Sequence, residues 1–254
     1  MRTVRVIPRL DIKSMNLVKG IRLEGLRIVG DPGVFARRYY DQGADELLFI
    51  DVYASLLGRD QFLDLIKATT RNVFIPLTVG GGIRSVEDIV DVLRAGADKV
   101  AINTAAIRRP EFISEASRRF GSQCIVASIE AKFRGPGRWE ALTDNGREIT
   151  GLDVLDWAKR VEALGAGEIL LTSVDREGTR KGYDRDLLSL IRSSVRIPVI
   201  ASGGAGSEAD IVKAVVETDV DAISAGWILH FQLTQISKIK AALEAAGTAV
   251  RPVP

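Results

Sequence analysis

The feature that most limits what this chain can fold into is a repeat of its first half in its second. Gly43-Ala44-Asp45-Glu46 returns 122 residues later as Gly165-Ala166-Gly167-Glu168. Ile75-Pro76-Leu77-Thr78-Val79-Gly80-Gly81-Gly82 returns at the same offset as Ile197-Pro198-Val199-Ile200-Ala201-Ser202-Gly203-Gly204, and Ser85 returns as Ser207. Asp11 and Glu130 stand 119 apart, a drift that one loop insertion explains. Each copy reads as β-type runs alternating with helical patterns, which is the signature of parallel βα units. Four units written twice make eight, and eight such units close into a barrel. An open doubly wound sheet needs no matching halves. The expected fold is therefore α/β, a (β/α)8 TIM barrel with an internal two-fold half-barrel repeat. It forms one domain over residues 1–254, with halves at about 1–123 and 124–247 and a frayed tail at 248–254.

Strands are expected near 4–10, 47–52, 74–79, 98–103, 125–130, 168–173, 197–202 and 221–226. Asp31-Pro32 opens the first helix, with proline at the first helical position. Ser85-Val86-Glu87-Asp88 and Ser207-Glu208-Ala209-Asp210 are capping signals at the repeat offset, and Gly96 ends the helix that Ser85 begins. Two connections are longer than such units usually need, and loops of that kind are commonly functional. One runs from Ser14 to Gly30 and contains Lys19-Gly20. The other follows Glu130, where Trp139–Thr143 and Asp144-Asn145-Gly146 suggest a small hairpin.

Composition removes several classes of function. A formal charge of +2 gives little reason to expect nucleic-acid or membrane binding. Apolar runs are too short to span a bilayer, and Met1–Arg5 has no signal-peptide character, so a cytoplasmic location is expected. One cysteine and one histidine leave no metal cluster, and no cofactor is called for. Cys124 reads as core filler. His230, between Leu229 and Phe231, reads as a structural hydrogen-bonder.

In an eight-stranded βα barrel the chemistry sits at the C-terminal strand ends. That rim receives Asp11, Asp51, Asn103, Glu130, Thr172, Ser173, Asp175 and Ser202. Asp11 and Glu130 end strands one and five, which are diametrically opposed. Two carboxylates flanking a substrate serve as general acid and base when their surroundings separate their pKa values. The plainer reading is that each acid ties down the lysine two residues on, Lys13 or Lys132. Glycine-rich strand ends let backbone N–H groups approach an anion closely. Gly203 and Gly204, with Gly178 and Gly226, form one expected phosphate cradle; Gly82, Asn103 and Thr104 form its counterpart. Plain tight turns would account for one such cluster but less well for two at the repeat offset. Two cradles imply a bisphosphate substrate. At the opposite, N-terminal strand ends lie Arg5, Glu46, Lys99 and Glu168, of balanced sign, which are either solvated singly or paired in a ring.

Leu10-Asp11-Ile12-Lys13, Val18-Lys19-Gly20, Thr78–Ile83, Ala97–Ala106, Gly167–Ser173 and Ala201–Gly206 resemble the cyclase subunit of imidazole glycerol phosphate synthase over about 1–245. The resemblance implies a barrel of histidine biosynthesis that forms a heterodimer with a glutaminase subunit. Ammonia from that partner passes through the barrel and attacks a ribulosyl-linked bisphosphate, giving imidazole glycerol phosphate and aminoimidazole carboxamide ribotide. Asp11 falls on a catalytic aspartate and Lys19 on a loop lysine. Arg5, Glu46, Lys99 and Glu168 fall on the ammonia gate, and Asp98 on a position facing the glutaminase. Three positions depart from the pattern. Glu130 replaces the second catalytic aspartate, Glu177 stands where Asp is usual, and Trp227 stands where a small residue is typical beside the second phosphate. A displacement of about 1 Å costs on the order of 100-fold in a positioned reaction. The expected activity is the cyclase. The alternative is a diverged paralogue that conducts ammonia for a glutaminase and a separate amidotransferase of surface-sugar biosynthesis.

Overall fold

The computed structural model describes residues 3–53 and 59–253; Met1, Arg2 and Pro254 lie outside the described residues. Eight parallel strands close on themselves in the order β1 (Arg5–Lys13), β4 (Leu47–Asp51), β5 (Leu77–Gly80), β6 (Lys99–Ile102), β7 (Ile125–Gly135), β10 (Glu168–Ser173), β11 (Val199–Ser202) and β12 (Ala222–Ala225), which returns to β1. Helices connect them, among them α1 (Pro32–Asp41), α3 (Val86–Arg94), α7 (Arg185–Arg192) and α8 (Glu208–Thr218). This is the (β/α)8 barrel expected from the repeat. β1 and β7 lie four places apart in a ring of eight, so the strands bearing Asp11 and Glu130 are opposed.

Local chemistry explains the element ends. Asp31 accepts a hydrogen bond from Val34 N at 2.9 Å with Pro32 starting the helix behind it. Ser85 and Asp88 complete a reciprocal capping box on α3, and Ser207 accepts from Asp210 N at the matching place on α8. The third and seventh barrel strands start at Leu77 and Val199, later than expected. Pro76 and Pro198 precede them and have no N–H to give to a ladder. Just before β4, β6 and β12, the carboxylates of Asp45, Asp98 and Asp221 accept from the first N–H groups of a neighbouring strand. The partners are Val6, Leu77 and Val199, at 2.8, 2.8 and 2.9 Å.

Three expectations change. The span 14–30 is not an open loop. β1 runs on past Asp11 to Lys13 and pairs antiparallel with β2 (Asn16–Ile21), which pairs with β3 (Glu24–Gly30). Its two tight turns place Ser14, Met15, Arg22 and Leu23 at positive φ without glycine or asparagine, so the usual turn signal is missing. The hairpin expected after Glu130 is a three-stranded flap of β7 with β8 (Arg138–Thr143) and β9 (Glu148–Asp153). The stretch after Gly247, expected to fray, is tied down through Arg251. Val4 N donates to Ala249 O at 2.9 Å, Val4 bridges Val250, and the buried Lys240 ammonium donates to Arg251 O at 3.0 Å.

The barrel interior is stacked in layers. Ile7, Leu48, Ala101, Val126, Leu170, Ile200 and Ala222 form an apolar collar, separate from the larger core between sheet and helices. Polar side chains lie above and below it. Among the described residues no helix is long and apolar enough to cross a membrane.

Candidate active site

Below the collar, Arg5 and Lys99 alternate with Glu46 and Glu168. Arg5 Nη1 reaches Glu46 Oε1 at 2.6 Å and its Nη2 pairs with Glu168; Lys99 Nζ reaches Glu46 Oε2 at 3.0 Å and Glu168 Oε2 at 3.1 Å. Each charge has two opposite partners. The expectation of four singly solvated charges therefore gives way to the paired ring. Burial weighs against the Arg5 charge, but Glu168 and Glu46 outweigh it and hold the guanidinium protonated. Asp98, exposed beside the ring, spends one carboxylate oxygen on Leu77 N.

Above the collar, β1 turns Arg9 and Asp11 inward, because side chains two apart on a strand share a face. Arg9 Nε donates to Asp11 Oδ1 at 2.7 Å, and its Nη1 donates to Thr172 Oγ1 at 3.2 Å and Ser202 Oγ at 3.3 Å. Lys19, brought over the mouth by β2, donates to Asp11 Oδ2 at 2.6 Å and also pairs with Glu177. Burial alone would neutralise Asp11, yet Arg9 and Lys19 overcome it and hold the carboxyl far below its usual range. Lys13 lies over the Tyr53 ring and Lys132 pairs with Asp175 at 2.5 Å, so neither lysine engages the acid two residues before it.

Glu130 has the opposite character. Its Oε2 accepts from Gly146 N at 2.7 Å, at the turn of the β8–β9 flap. Burial pushes its carboxyl up to about 7; Arg9 and the Gly146 N–H oppose this, and the charges of Asp11 and Asp144 reinforce it. Near neutral pH the pair therefore holds one carboxylate, on Asp11, and one acid, on Glu130, that is about half protonated.

Glu130 opens into a cavity of about 390 Å³ lined by Gly81, Gly82, Asn103, Thr104, Ser128 and Asn145, with Arg108, Arg109 and Arg147 at its edge. Gly81 and Gly82 adopt φ of +93° and +69°, the left-handed region that glycine enters without strain. Asn103 Nδ2 donates to Leu142 O at 3.1 Å, and Thr104 Oγ1 accepts from Asp144 N at 3.1 Å, so both residues hold the flap. Asn103 Oδ1 and Asn145 Nδ2 are buried without a hydrogen-bond partner, as polar atoms awaiting a ligand would be.

The second expected cradle collects Glu177, Gly178, Ser202, Gly203, Gly204, Gly226 and Trp227, together with Arg9 and Lys19, around only about 10 Å³. Gly203 and Gly204 have φ of +90° and +111°. The Trp227 ring lies 4.6 Å from that of Phe231, with Arg180 5.7 Å away on the indole. Arg22 N donates to Glu177 O at 2.8 Å, which latches the first hairpin over this half. His230 is buried beneath it and shares a 2.6 Å hydrogen bond with the Tyr39 hydroxyl. Burial, reinforced by the Lys19 charge, holds its imidazole down to about 3 and therefore neutral. Cys124 ends a short 3₁₀ turn before β7, packed against the core.

Sequence reasoning missed Arg9. Its signal was the inward alternation Arg5, Ile7, Arg9, Asp11 along β1, at period two. It also missed the arginines around the first cavity, which come from separate segments.

A closed βα barrel with glycine-rich rims, opposed acids and a charged ring at its base defines the class: a (β/α)8 barrel protein. A family model described as "Histidine biosynthesis protein" matches residues 5–235, nearly the whole described barrel. The chain is 63% identical to the imidazole glycerol phosphate synthase subunit HisF of Legionella pneumophila over 206 residues, 81% of this chain and 97% of that protein. The chain belongs to this family of histidine biosynthesis proteins.

Proposed function

We propose that this protein is the cyclase subunit of an imidazole glycerol phosphate synthase, taking ammonia from a glutaminase partner in a heterodimer. The observation that carries the reading is that one barrel holds a ring of paired charges at its base and two opposed buried carboxyls at its mouth, Asp11 between Arg9 and Lys19 and Glu130 on a backbone N–H, separated by an apolar collar. Transfer through the collar favours a neutral molecule, because ammonium would lose its hydration there. Ammonia fits that requirement.

In this reading Arg5, Glu46, Lys99 and Glu168 gate entry, and Asp98, exposed beside them, faces the glutaminase. The substrate is a ribulosyl-linked bisphosphate. One phosphate rests on Gly82, Asn103 and Thr104; the other rests on Ser202, Gly203, Gly204 and Gly226, bounded by Thr172, Gly178 and Trp227, with Lys19 and Glu177 at its lid. Ammonia adds to the ribulosyl carbonyl, whose oxygen leaves as water, Glu130 giving it a proton and Asp11 taking one from the attacking nitrogen; as that nitrogen closes the imidazole ring, the C–N bond to the carboxamide ribotide breaks. Products are imidazole glycerol phosphate and aminoimidazole carboxamide ribotide. The protein works in the cytoplasm and needs neither nucleic acid, membrane nor metal.

The test is turnover of the purified chain with the bisphosphate and an ammonium salt, without glutaminase. Imidazole product supports the cyclase. Absence of product from the wild type, with product from Glu130→Asp, would overturn it. One observation favours a second reading, the ammonia conduit for a separate amidotransferase: both oxygens of Asp11 are engaged by Arg9 and Lys19. If the wild type and Glu130→Asp both fail, the conduit stands.

A further inference from the structure

In the second cradle a carboxylate of the protein itself lies beside the glycines. Gly203 has no Cβ; a methyl group built there would stand 3.3 Å from Glu177 Oε2 and 3.4 Å from Glu177 N. The Glu177 carboxylate therefore rests against the glycine that makes the cradle. Its counter-cation is already in place: Lys19 pairs with Glu177, and a methyl on Gly226 would stand 3.4 Å from Lys19 Nζ. Glu177 is 5% exposed and Lys19 is 4% exposed, so neither is a surface charge folded down by chance. Ser224 Oγ, on the wall of the same void, is buried with no hydrogen-bond partner. A carboxylate has two acceptor oxygens and a phosphate has more, so a hydroxyl left over beside a carboxylate fits a site shaped for the larger anion.

We propose that Glu177 is a specificity-determining residue that fills the Ser202–Gly203–Gly204–Gly226 cradle with its own carboxylate, so that only an end group carrying two negative charges displaces it. On displacement Lys19 passes from Glu177 to the phosphate. Arg9, already bonded to Ser202 and Thr172, provides a second positive charge beneath the incoming group. Two carboxylates gain nothing by exchanging places here, whereas a phosphate dianion gains the larger attraction to both cations. A monoanionic or neutral end group is thus refused by competition rather than by shape. Glu177 in place of aspartate lengthens the arm by one methylene, which suits it to reach into the cradle from the loop after β10. The inference rests on the reading of this rim as a phosphate cradle, and it does not depend on which reaction the barrel performs.

Trp227 lines this cradle, so its fluorescence reports on it, with Trp227→Phe as the blank. The full chain is titrated with inorganic phosphate and, separately, with acetate. In the wild type, phosphate changes the Trp227 signal and acetate does not. Glu177→Gln keeps the shape and removes the competing charge; it is expected to tighten phosphate about tenfold or more and to let acetate register. Glu177→Asp, which withdraws the carboxylate slightly, gives a smaller gain and carries the test if the glutamine variant does not fold. Adding Arg9→Gln to Glu177→Gln loses the gain. Phosphate affinity unchanged or weakened in both Glu177 variants overturns the proposal. A wild-type chain in which phosphate never reaches Trp227, with the Glu177 variants equally silent, instead overturns the cradle itself. Cyclase turnover is not used at any step, so failure of the proposed activity leaves this result separately readable.

Discussion

At the rim carrying Gly81, Gly82 and Asn103 the barrel opens into about 390 Å³, whereas the rim carrying Gly203, Gly204 and Gly226 keeps about 10 Å³. The backbone is alike in both: a strand end, two glycines at positive φ, then a serine-capped helix. What differs is which side chains fall inward. At the first rim the nearby β8–β9 flap sends a backbone N–H to Glu130 and leaves its cations at the cavity edge. At the second, β1 sends Arg9 inward and β2 brings Lys19, and both find carboxylates before any ligand does. Repeated backbone thus makes two cradles, and unrepeated side chains decide which one stands open.

The largest expected effect comes from the acid that both cations of the closed half share. Asp11→Asn leaves Arg9 and Lys19 buried with half their counter-charge gone. Breaking a buried pair in this way costs about 3–5 kcal/mol. Urea unfolding should show that loss; a loss below about 1 kcal/mol would mean the closed half is held by packing and not by charge.

The open half should instead respond to pH. The folded-state carboxyl of Glu130, pushed up to about 7, lies above its ordinary 4.5. Its contribution to stability is therefore fully present below about pH 4.5 and is lost as pH rises through 7, by roughly 3 kcal/mol at most. Glu130→Gln should flatten that segment of a stability-against-pH curve. In catalysis the same protonation predicts a rate that falls above about pH 7, since a general acid must carry its proton; a plateau from pH 6 to 9 would remove Glu130 from that role.

A matched pair of glycine substitutions sharpens the contrast at smaller cost. Gly151→Ala, in the flap over the open half, and Gly203→Ala both force a side chain to positive φ, worth about 1–2 kcal/mol each. A methyl at Gly151 would meet nothing within 4 Å, whereas at Gly203 it meets Ser173 O, at 2.8 Å, and the Glu177 carboxylate. Gly203→Ala should therefore be the less stable of the two by thermal melting, and equal melting points would show that Glu177 moves aside freely. The smallest effect is expected from Thr104→Ala. Losing the acceptor of Asp144 N costs about 1 kcal/mol and should raise amide exchange in the β8–β9 turn with little change elsewhere.

The sequence was most legible where backbone alone decides. The repeat, the caps at Asp31, Ser85 and Ser207, and the glycine pairs each impose a conformation on a short stretch, so a short stretch reveals them. The same holds for the opposition of Asp11 and Glu130, which follows from counting strands. The span 14–30 was misread because its turns place Ser14, Met15, Arg22 and Leu23 at positive φ, where no glycine or asparagine announced a hairpin. The tail was misread because its anchor is a buried ammonium, Lys240, shared with Asp45 at 2.7 Å, and nothing in residues 248–253 declares that partner.

By itself, then, the sequence determined the barrel, its twofold plan and the ring of residues from which a site had to be drawn. Only the tertiary structure decided the charge of that site. Arg9 and Asp11 are neighbours on one strand, but Thr172, Ser202, Lys19 and Glu177 reach them from other turns of the barrel, and Gly146 reaches Glu130 from the tip of a flap. Electrostatic energy depends on distance through space and on the water excluded between the groups, and neither is written along the chain.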